Sequence, residues 1–253
     1  VSSELLEVEE AGGSTGRTAD GFNRSIMEQL EHVEYRRVSL AEDLESVYRL
    51  RYDSFLRAGM VKEDASHMLS DRWDDLPNSY RFAVYYDGNL LSTVRIHYIE
   101  KAFPYSPAYD TFPEALAERV ANGETFIDVS RFAAFGNSGP STLAIPFLSM
   151  RLVTLAGLFF SEADVLYAIK PEHSAFYRRS FSARCIAGPK MFPGLVVPRF
   201  LYETPSGDNR TRVLERFPFM RGTKSEQRML FGHPAEDAPL TVLPTAKFMH
   251  EPA

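Results

Sequence analysis

The sequence predicts an α/β or α+β sandwich, a central sheet with helices on its faces. Three observations carry that prediction. Segments with helical and strand periodicity alternate along most of the chain. An Asp87-Gly88 pair joins two strand-like runs, 81–87 and 90–99, as an antiparallel hairpin. A run over 126–136 is apolar on both faces, as a strand buried between two layers should be. No internal repeat is found.

The 253-residue chain is 44% hydrophobic and 13% aromatic, enough for one large domain with an extension. Its net charge of −6 argues against general nucleic-acid binding. The single cysteine, Cys185, excludes an internal disulfide and suits a reducing, cytoplasmic setting; it reads as a small buried residue rather than a nucleophile. The N-terminus is acidic and lacks an apolar core, so no signal peptide is expected. The apolar run 143–160 is nearly long enough to span a bilayer. Pro146, Ser149, Arg151 and Thr154 interrupt it, and a central arginine is costly in lipid. It reads as a core helix, and no transmembrane segment is expected.

In order, residues 1–23 are acidic and rich in Gly, Ser and Thr, the composition of a mobile arm. A helix over 24–32 and a strand from Val33 to Val38 follow. Ser39 with Glu42 reads as a capping box opening a helix to about Ala58, stopped by Gly59. Leu44, Val47, Tyr48, Arg51 and Phe55 fall on one face of that helix. The charge of Arg51 on an apolar face is either a snorkelling side chain or a paired one. Residues 60–80 form a polar, acidic loop that holds the only tryptophan, Trp73, so part of it should fold back on the core. The hairpin carries a second buried cation, Arg95. It also carries His97, which has no second histidine near it in sequence and reads as a satisfied strand residue; no metal site is expected. Residues 102–124 are an aromatic and proline-rich loop, then a helix over 113–121 started by Pro113 and stopped at Gly123.

The strand at 126 follows. Strict alternation turns Phe126, Asp128, Ser130 and Phe132 one way and Ile127, Val129, Arg131 and Ala133 the other. A buried carboxylate and a buried guanidinium need partners or a job; a structural ion pair and a working site are both open. Gly136 to Ser141 reads as a turn and helix start, followed by the apolar helix to about Ser161, a strand over 163–169 and a short helix over 173–181. Strands over 183–187 and 195–203, a helix over 224–230 and a Pro-rich tail from Pro234 complete the chain. The domain reading is an arm over 1–23, a domain over 24–205 and an extension over 206–253 packed on or near it.

Four motifs then appear in a fixed order: Leu50-Arg51-Tyr-Asp-Ser-Phe55, Asp71-Arg-Trp-Asp74, Ser92-Thr-Val-Arg95, and Asp128-Val-Ser-Arg131-Phe132. With them the chain resembles the acyl-homoserine-lactone synthases and the long-chain N-acyl amino acid synthases, a branch of the Gcn5-related N-acetyltransferase superfamily. The motifs cover roughly 50–135 and the likeness of element order extends to about 203. Two positions depart from the pattern: Asp128 stands where the family has Glu, and Met60 where it has an aromatic residue. The resemblance implies a mostly antiparallel central sheet flanked by helices.

It also implies a reaction. A long-chain acyl group would pass from a phosphopantetheine thioester, on acyl carrier protein or CoA, to the amine of an amino acid. No permanently bound cofactor is implied. The alternatives are a lactone synthase using S-adenosylmethionine, and an inactive fold that binds lipid or carrier protein. Asp128 is then the candidate base for the attacking amine; burial would raise its pKa and Arg131 lower it, and the sequence leaves the balance open. Backbone groups of Phe132 and Ala133, at a bulge, are the candidate oxyanion donors. Tyr177 is the candidate acid for the leaving thiolate. Arg51 and Arg95 are candidates for the acceptor carboxylate, with Phe55 beside them. Alternatively, Asp71 and Asp74 dock on Arg51, Arg95 and Arg131 and hold the loop closed. The acidic carrier protein would meet the basic stretch of Lys170, Arg178, Arg179 and Arg184, which also contains Lys190 and Arg199 against one acid, Glu172. A lipid product would allow weak membrane association.

Overall fold

A computed structural model describes residues 15–135, 140, 143–233 and 241–249. The predicted turn at Gly136–Ser141 lies almost wholly outside them, as do residues 1–14 of the predicted arm and most of the Pro-rich tail.

Eight strands form one sheet: β1 (Val33–Arg37), β2 (Ser79–Tyr86), β3 (Asn89–Ile99), β4 (Phe126–Ala134), β5 (Asp164–Ile169), β6 (Arg184–Met191), β7 (Pro198–Thr204) and β8 (Thr241–Val242). Their spatial order is β6-β7-β5-β4-β3-β2-β1-β8. The β4–β5 pair is parallel and the other described ladders are antiparallel. Asp87 and Gly88 turn the β2–β3 hairpin with φ of 47° and 74°, the two positive values that a tight two-residue turn matching strand twist requires.

The helices make two layers. On one face lie α2 (Ala41–Arg57), α3 (Pro107–Thr111) and α4 (Pro113–Ala121). They bury Leu50, Phe55, Ala108, Leu116 and Val120 against Phe126, Ala133 and Leu166 of the sheet. The other face carries α1 (Thr15–Gln29), α5 (Ala144–Phe159), α6 (Ser174–Phe181), α7 (Asp208–Arg216) and α8 (Lys224–Phe231), packed on Ile127, Val129 and Tyr167.

Several local expectations change. The first helix starts at Thr15, not at 24, because Phe22, Ile26 and Leu30 form a stripe that docks on the core; the Phe22 ring meets Phe147 edge-on at 5.0 Å. The N-cap of α2 is Leu40, without a side-chain bond, so Ser39 is not a capping residue. The helix α3 was not foreseen; Ser106 caps it, its hydroxyl accepting from the Tyr109 N–H at 3.1 Å. Cys185 is exposed, not buried, on β6, the outer edge strand of the sheet.

The apolar helix α5 is a core element. Among the described residues no helix is long and apolar enough to cross a membrane. Its Arg151 is fully buried and ion-paired with Glu226 of α8, and it donates to the carbonyls of Phe219 at 2.8 Å and Arg221 at 2.6 Å. Thr245 donates to the same Glu226 at 2.6 Å. Residues beyond 206 are thus tied to the core by a buried ion pair, and they add β8 to the free edge of β1.

Candidate functional site

Within the polar loop after α2, Asp71 and Asp74 cap each other's turn, the Asp71 N–H donating to Asp74 Oδ2 at 2.9 Å and the Trp73 N–H to Asp71 Oδ1 at 3.0 Å. The turn is pressed onto the sheet by its tryptophan, buried with its indole N–H on Asp110 Oδ2 at 3.0 Å. Both aspartates then point inward at three arginines. Arg51 Nη1 donates to Asp74 Oδ1 at 2.7 Å. Arg95 reaches Asp71 Oδ1 at 2.5 Å and Asp74 Oδ1 at 3.0 Å. Arg131 donates to Asp71 Oδ2 through Nη2 at 2.6 Å and Nε at 3.0 Å.

The side chain of Arg51 is fully buried, so it does not snorkel. Burial lowers its pKa to about 10, against the pull of Asp74. Burial works to raise the pKa of Asp71, but Arg95 and Arg131 together hold its carboxyl well below the usual range. Asp74 is likewise lowered, Arg51 and Arg95 overcoming its burial. Phe55 lies under Arg131, whose Cζ is 5.6 Å from the ring centroid. His97 is buried, donates from Nε2 to the Trp73 carbonyl at 2.8 Å, and is pushed down to about 3 by burial and Arg95, so it stays neutral. Among the described residues no cluster of His, Cys, Asp and Glu is arranged to hold a metal ion.

Asp128 is not part of that network, and of the two readings left open for it the ion pair with Arg131 does not form. Its Oδ2 accepts the Ala108 N–H at 2.9 Å, at the start of α3, and its buried Oδ1 has no hydrogen-bond partner among the described residues. Desolvation raises its pKa to about 6; the Ala108 N–H, Ser106 and Arg95 pull the other way. A carboxyl with that pKa is largely ionised at neutral pH and still a fair base.

Arg131 breaks the strand's alternation. It has φ of 54°, and the β3–β4 register slips there: Arg95 opposes Ser130 while Thr93 opposes Ala133. This is a β-bulge. It turns Arg131 and Ala133 toward α2, the face of Asp128 and Ser130, and turns Phe132 to the α5 face. Simple alternation had both wrong. Beyond the bulge β4 loses its other neighbour. The β4–β5 ladder pairs Phe126–Val129 with Asp164–Tyr167 and ends. On the β5 side, Ser130–Ala134 have no strand partner among the described residues, so the sheet forks there.

Tyr177 sits at that fork on the α5 side. Its ring packs at 4.6 Å on Tyr167, the last β5 residue paired with β4. Burial raises its hydroxyl to about 12, so it keeps its proton. Between α5, β5 and α7 lies a small cleft lined by Val153, Gly157, Tyr167 and Val213.

The basic stretch is less uniform than its sequence. Arg178 and Arg179 are exposed on α6, and Lys170 is half-buried. Arg184 is exposed but spent on Glu203 at 2.9 Å, and Lys190 on Glu114 at 2.6 Å. Arg199 is not on the surface at all: it is 4% exposed.

Residues 46–205 match the family model described as N-acyl amino acid synthase FeeM. Among solved structures, FeeM, an N-acyl amino acid synthase from uncultured soil microbes, is similar at 16% identity with a TM-score of 0.59, over 72% of this chain and 96% of that one. The CoA-dependent acyl-homoserine lactone synthase BjaI, with SAM and isopentyl-CoA, gives 15% identity and a TM-score of 0.53 over 73% of this chain and 89% of that one. The synthase LasI gives 19%, 0.50, 68% and 89% in the same order. At such identities these likenesses bear on the fold. No curated protein matches the sequence.

Proposed function

Because the chain belongs to the N-acyl amino acid synthase FeeM family and is an N-acyltransferase that uses an acyl thioester, we propose that Asp128 is the base that frees the acceptor amine. The observation that carries this reading is its geometry: a sealed carboxyl with one oxygen unpartnered and a pKa near 6, on the strand that forks from β5. The neutral amine attacks the thioester carbonyl; Asp128 takes the amine proton; the tetrahedral oxyanion collapses and the thiolate leaves. The unpaired backbone edge of β4 around Phe132 and Ala133 supplies the oxyanion donors. Tyr177, protonated and at the fork, returns a proton to the thiolate. The aspartates of the loop hold Arg51, Arg95 and Arg131 in place, which makes Arg51 and Arg95 supports of the site rather than binders of an acceptor carboxylate.

The donor is read as a long-chain acyl group on acyl carrier protein, its tail directed to the cleft between α5, β5 and α7. The acyltransferase domain takes α1 whole, from Thr15, and residues 206–253 are its extension. A cytoplasmic enzyme with a lipid product that draws it weakly to membranes fits this reading. The test is mass spectrometry of lipid extracts from a bacterial host expressing the chain. New N-acyl amino acids would name the acceptor and the chain length. New lactones would replace the reading with S-adenosylmethionine-dependent lactone synthesis, and no new product would count against both.

Carrier-protein docking is read at Lys170, Arg178 and Arg179, with Arg184 removed from the face by its bond to Glu203. Changing Arg178 and Arg179 together to Glu is expected to weaken acyl carrier protein binding at least tenfold at low salt, less at high salt. Titration calorimetry measures it; equal affinities would assign the donor to CoA instead.

A further inference from the structure

One guanidinium near the fork is left without an anion, and a second keeps a nitrogen to spare. Arg199 opens β7 and is 4% exposed. Its Nη2 donates to the thioether sulfur of Met60 at 2.7 Å and its Nη1 to the Pro198 carbonyl at 3.5 Å. No carboxylate pairs with it among the described residues. Arg131 spends Nε and Nη2 on Asp71, but its Nη1 is buried and has no partner.

The two flank one buried cluster. Met60, which receives Arg199, packs with Phe55 and Ala133, and Phe55 lies under Arg131. The segment 192–197 covers the cluster: the Val196 N–H donates to the Met60 carbonyl at 2.9 Å, and Leu195 and Val197 pack on it. Gly194, at φ of 73°, lets that roof approach; a Cβ there would lie 3.4 Å from Arg131 Nη2. The mutual repulsion of the two cations adds to burial in lowering Arg199 to about 10, with Glu172 a lesser opposing charge.

Arg51 also has unpartnered nitrogens, Nε and Nη2. Its charge, however, is matched by Asp74, and it is sealed beneath the Tyr48 ring at 5.3 Å. Arg199 has no such match. A pair of guanidiniums that lacks one negative charge suits a carboxylate, whose two oxygens can each take one. The bulge puts Arg131 on the same face of β4 as Asp128. In an α-amino acid the amine is two bonds from the carboxyl carbon, so an acid held there presents its amine on the side of Asp128.

We propose that Arg199 and the free Nη1 of Arg131 form the subsite for the α-carboxylate of the acceptor amino acid. This rests on the acyl-transfer reading above, and it moves acceptor recognition from Arg51 and Arg95 to a strand 139 positions from Met60 in sequence.

The test compares the full chain with Arg199→Met and Arg199→Lys. Acceptors are glycine, leucine, phenylalanine and glutamine, each against its carboxamide, with thiol release as readout. The wild type is expected to prefer the acid. Arg199→Met should reduce that preference tenfold or more through KM for the acid, and Arg199→Lys should fall between. An unchanged preference overturns the subsite while leaving acyl transfer intact. If KM for the acyl-phosphopantetheine donor rises instead, and a donor without the phosphate shows no rise, the anion is the donor phosphate and the assignment is overturned. If the wild type releases no thiol with any pair, the acyl-transfer reading falls. Calorimetric titration with the same acids and amides then still decides: acid binding lost in Arg199→Met keeps the subsite, and equal binding, including none, removes it. Folding is not the obstacle, because an apolar isostere in place of a buried unmatched charge is expected to leave Tm the same or higher.

Discussion

Asp128→Asn is expected to lower kcat/KM by ~10²–10⁴, the usual worth of a positioned base, and to make the protein more stable at neutral pH. The activity arm follows from the neutral amine the reaction needs. In the wild type, kcat/KM should climb as pH passes the Asp128 pKa of about 6, and that limb should vanish in the variant. The stability arm follows from the direction of the shift. The folded-state pKa lies above the ordinary 3.8, so the fold prefers the protonated acid. That stabilisation is complete below pH 3.8 and is lost as pH rises through 6. At 1.36 kcal/mol per pKa unit the loss by pH 7 is about 3 kcal/mol. Asparagine carries no charge and can still accept the Ala108 N–H, so it escapes the loss. Denaturation at pH 4.5 and 7.5 should show a gap in favour of the variant that widens at the higher pH. Undiminished turnover would remove Asp128 from the chemistry; a variant less stable at pH 7.5 would refute its unfavourable ionisation.

Asp71→Asn is expected to have the opposite effect on stability, a loss of about 3–5 kcal/mol, the cost of stripping one partner from a buried ion network. For a chain of this size that is roughly a 10 °C fall in Tm. The size follows from the bonds: Asp71 alone accepts from both Arg95 and Arg131, with ion-pair distances of 2.5 and 2.6 Å. Its pKa is depressed, so its stabilisation is present above the ordinary carboxylate range and is lost only as pH falls well below it. Urea titration should therefore show the deficit at pH 7 and a shrinking one below about pH 4. A loss under 1 kcal/mol would mean that the network is not what fixes the loop to the sheet. Turnover should fall as well, because Arg131 loses the bonds that aim it.

The difference between these two aspartates was only half visible in the sequence. Spacing and type singled out Arg51, Arg95, Arg131 and Asp128 as charges on buried elements, the family resemblance added Asp71 and Asp74 of the polar loop, and the docking of these loop aspartates on the three arginines is what forms. Which carboxylate meets which arginine was beyond it. An ion pair of Asp128 with Arg131 was one open reading, although strict alternation put the two on opposite faces of the strand. The bulge at Arg131, a non-glycine residue at positive φ, changes the phase of the strand, and no local pattern announces it. The helix α3 was legible in retrospect, since Ser106 followed by Pro107 is a cap and first-turn pair. The helix α7 was not: a single buried residue, Val213, leaves no apolar stripe to read. Arg199 looked like one more surface cation in a basic run. Its burial depends on Met60 and on the 192–197 roof, contacts made across the fold.

The surplus of guanidiniums at the fork has a consequence for the charge changes of the reaction. Arg51, Arg95, Arg131 and Arg199 are all buried, against the carboxylates of Asp71, Asp74 and Asp128. With Asp128 ionised the pocket holds one positive charge more than it can cancel, in a chain whose net charge is −6. An acceptor carboxylate brings the pocket to neutrality. If Asp128 takes the amine proton as proposed, the protein side becomes positive by one at the step that puts a negative charge on the carbonyl oxygen and then on the departing sulfur. Each stage is then balanced by a fixed charge already in place, with no side chain or solvent having to reorient in a site of low dielectric. Charge-matched in this way, the proposed site would favour the intermediate over both the empty state and a bound neutral amide.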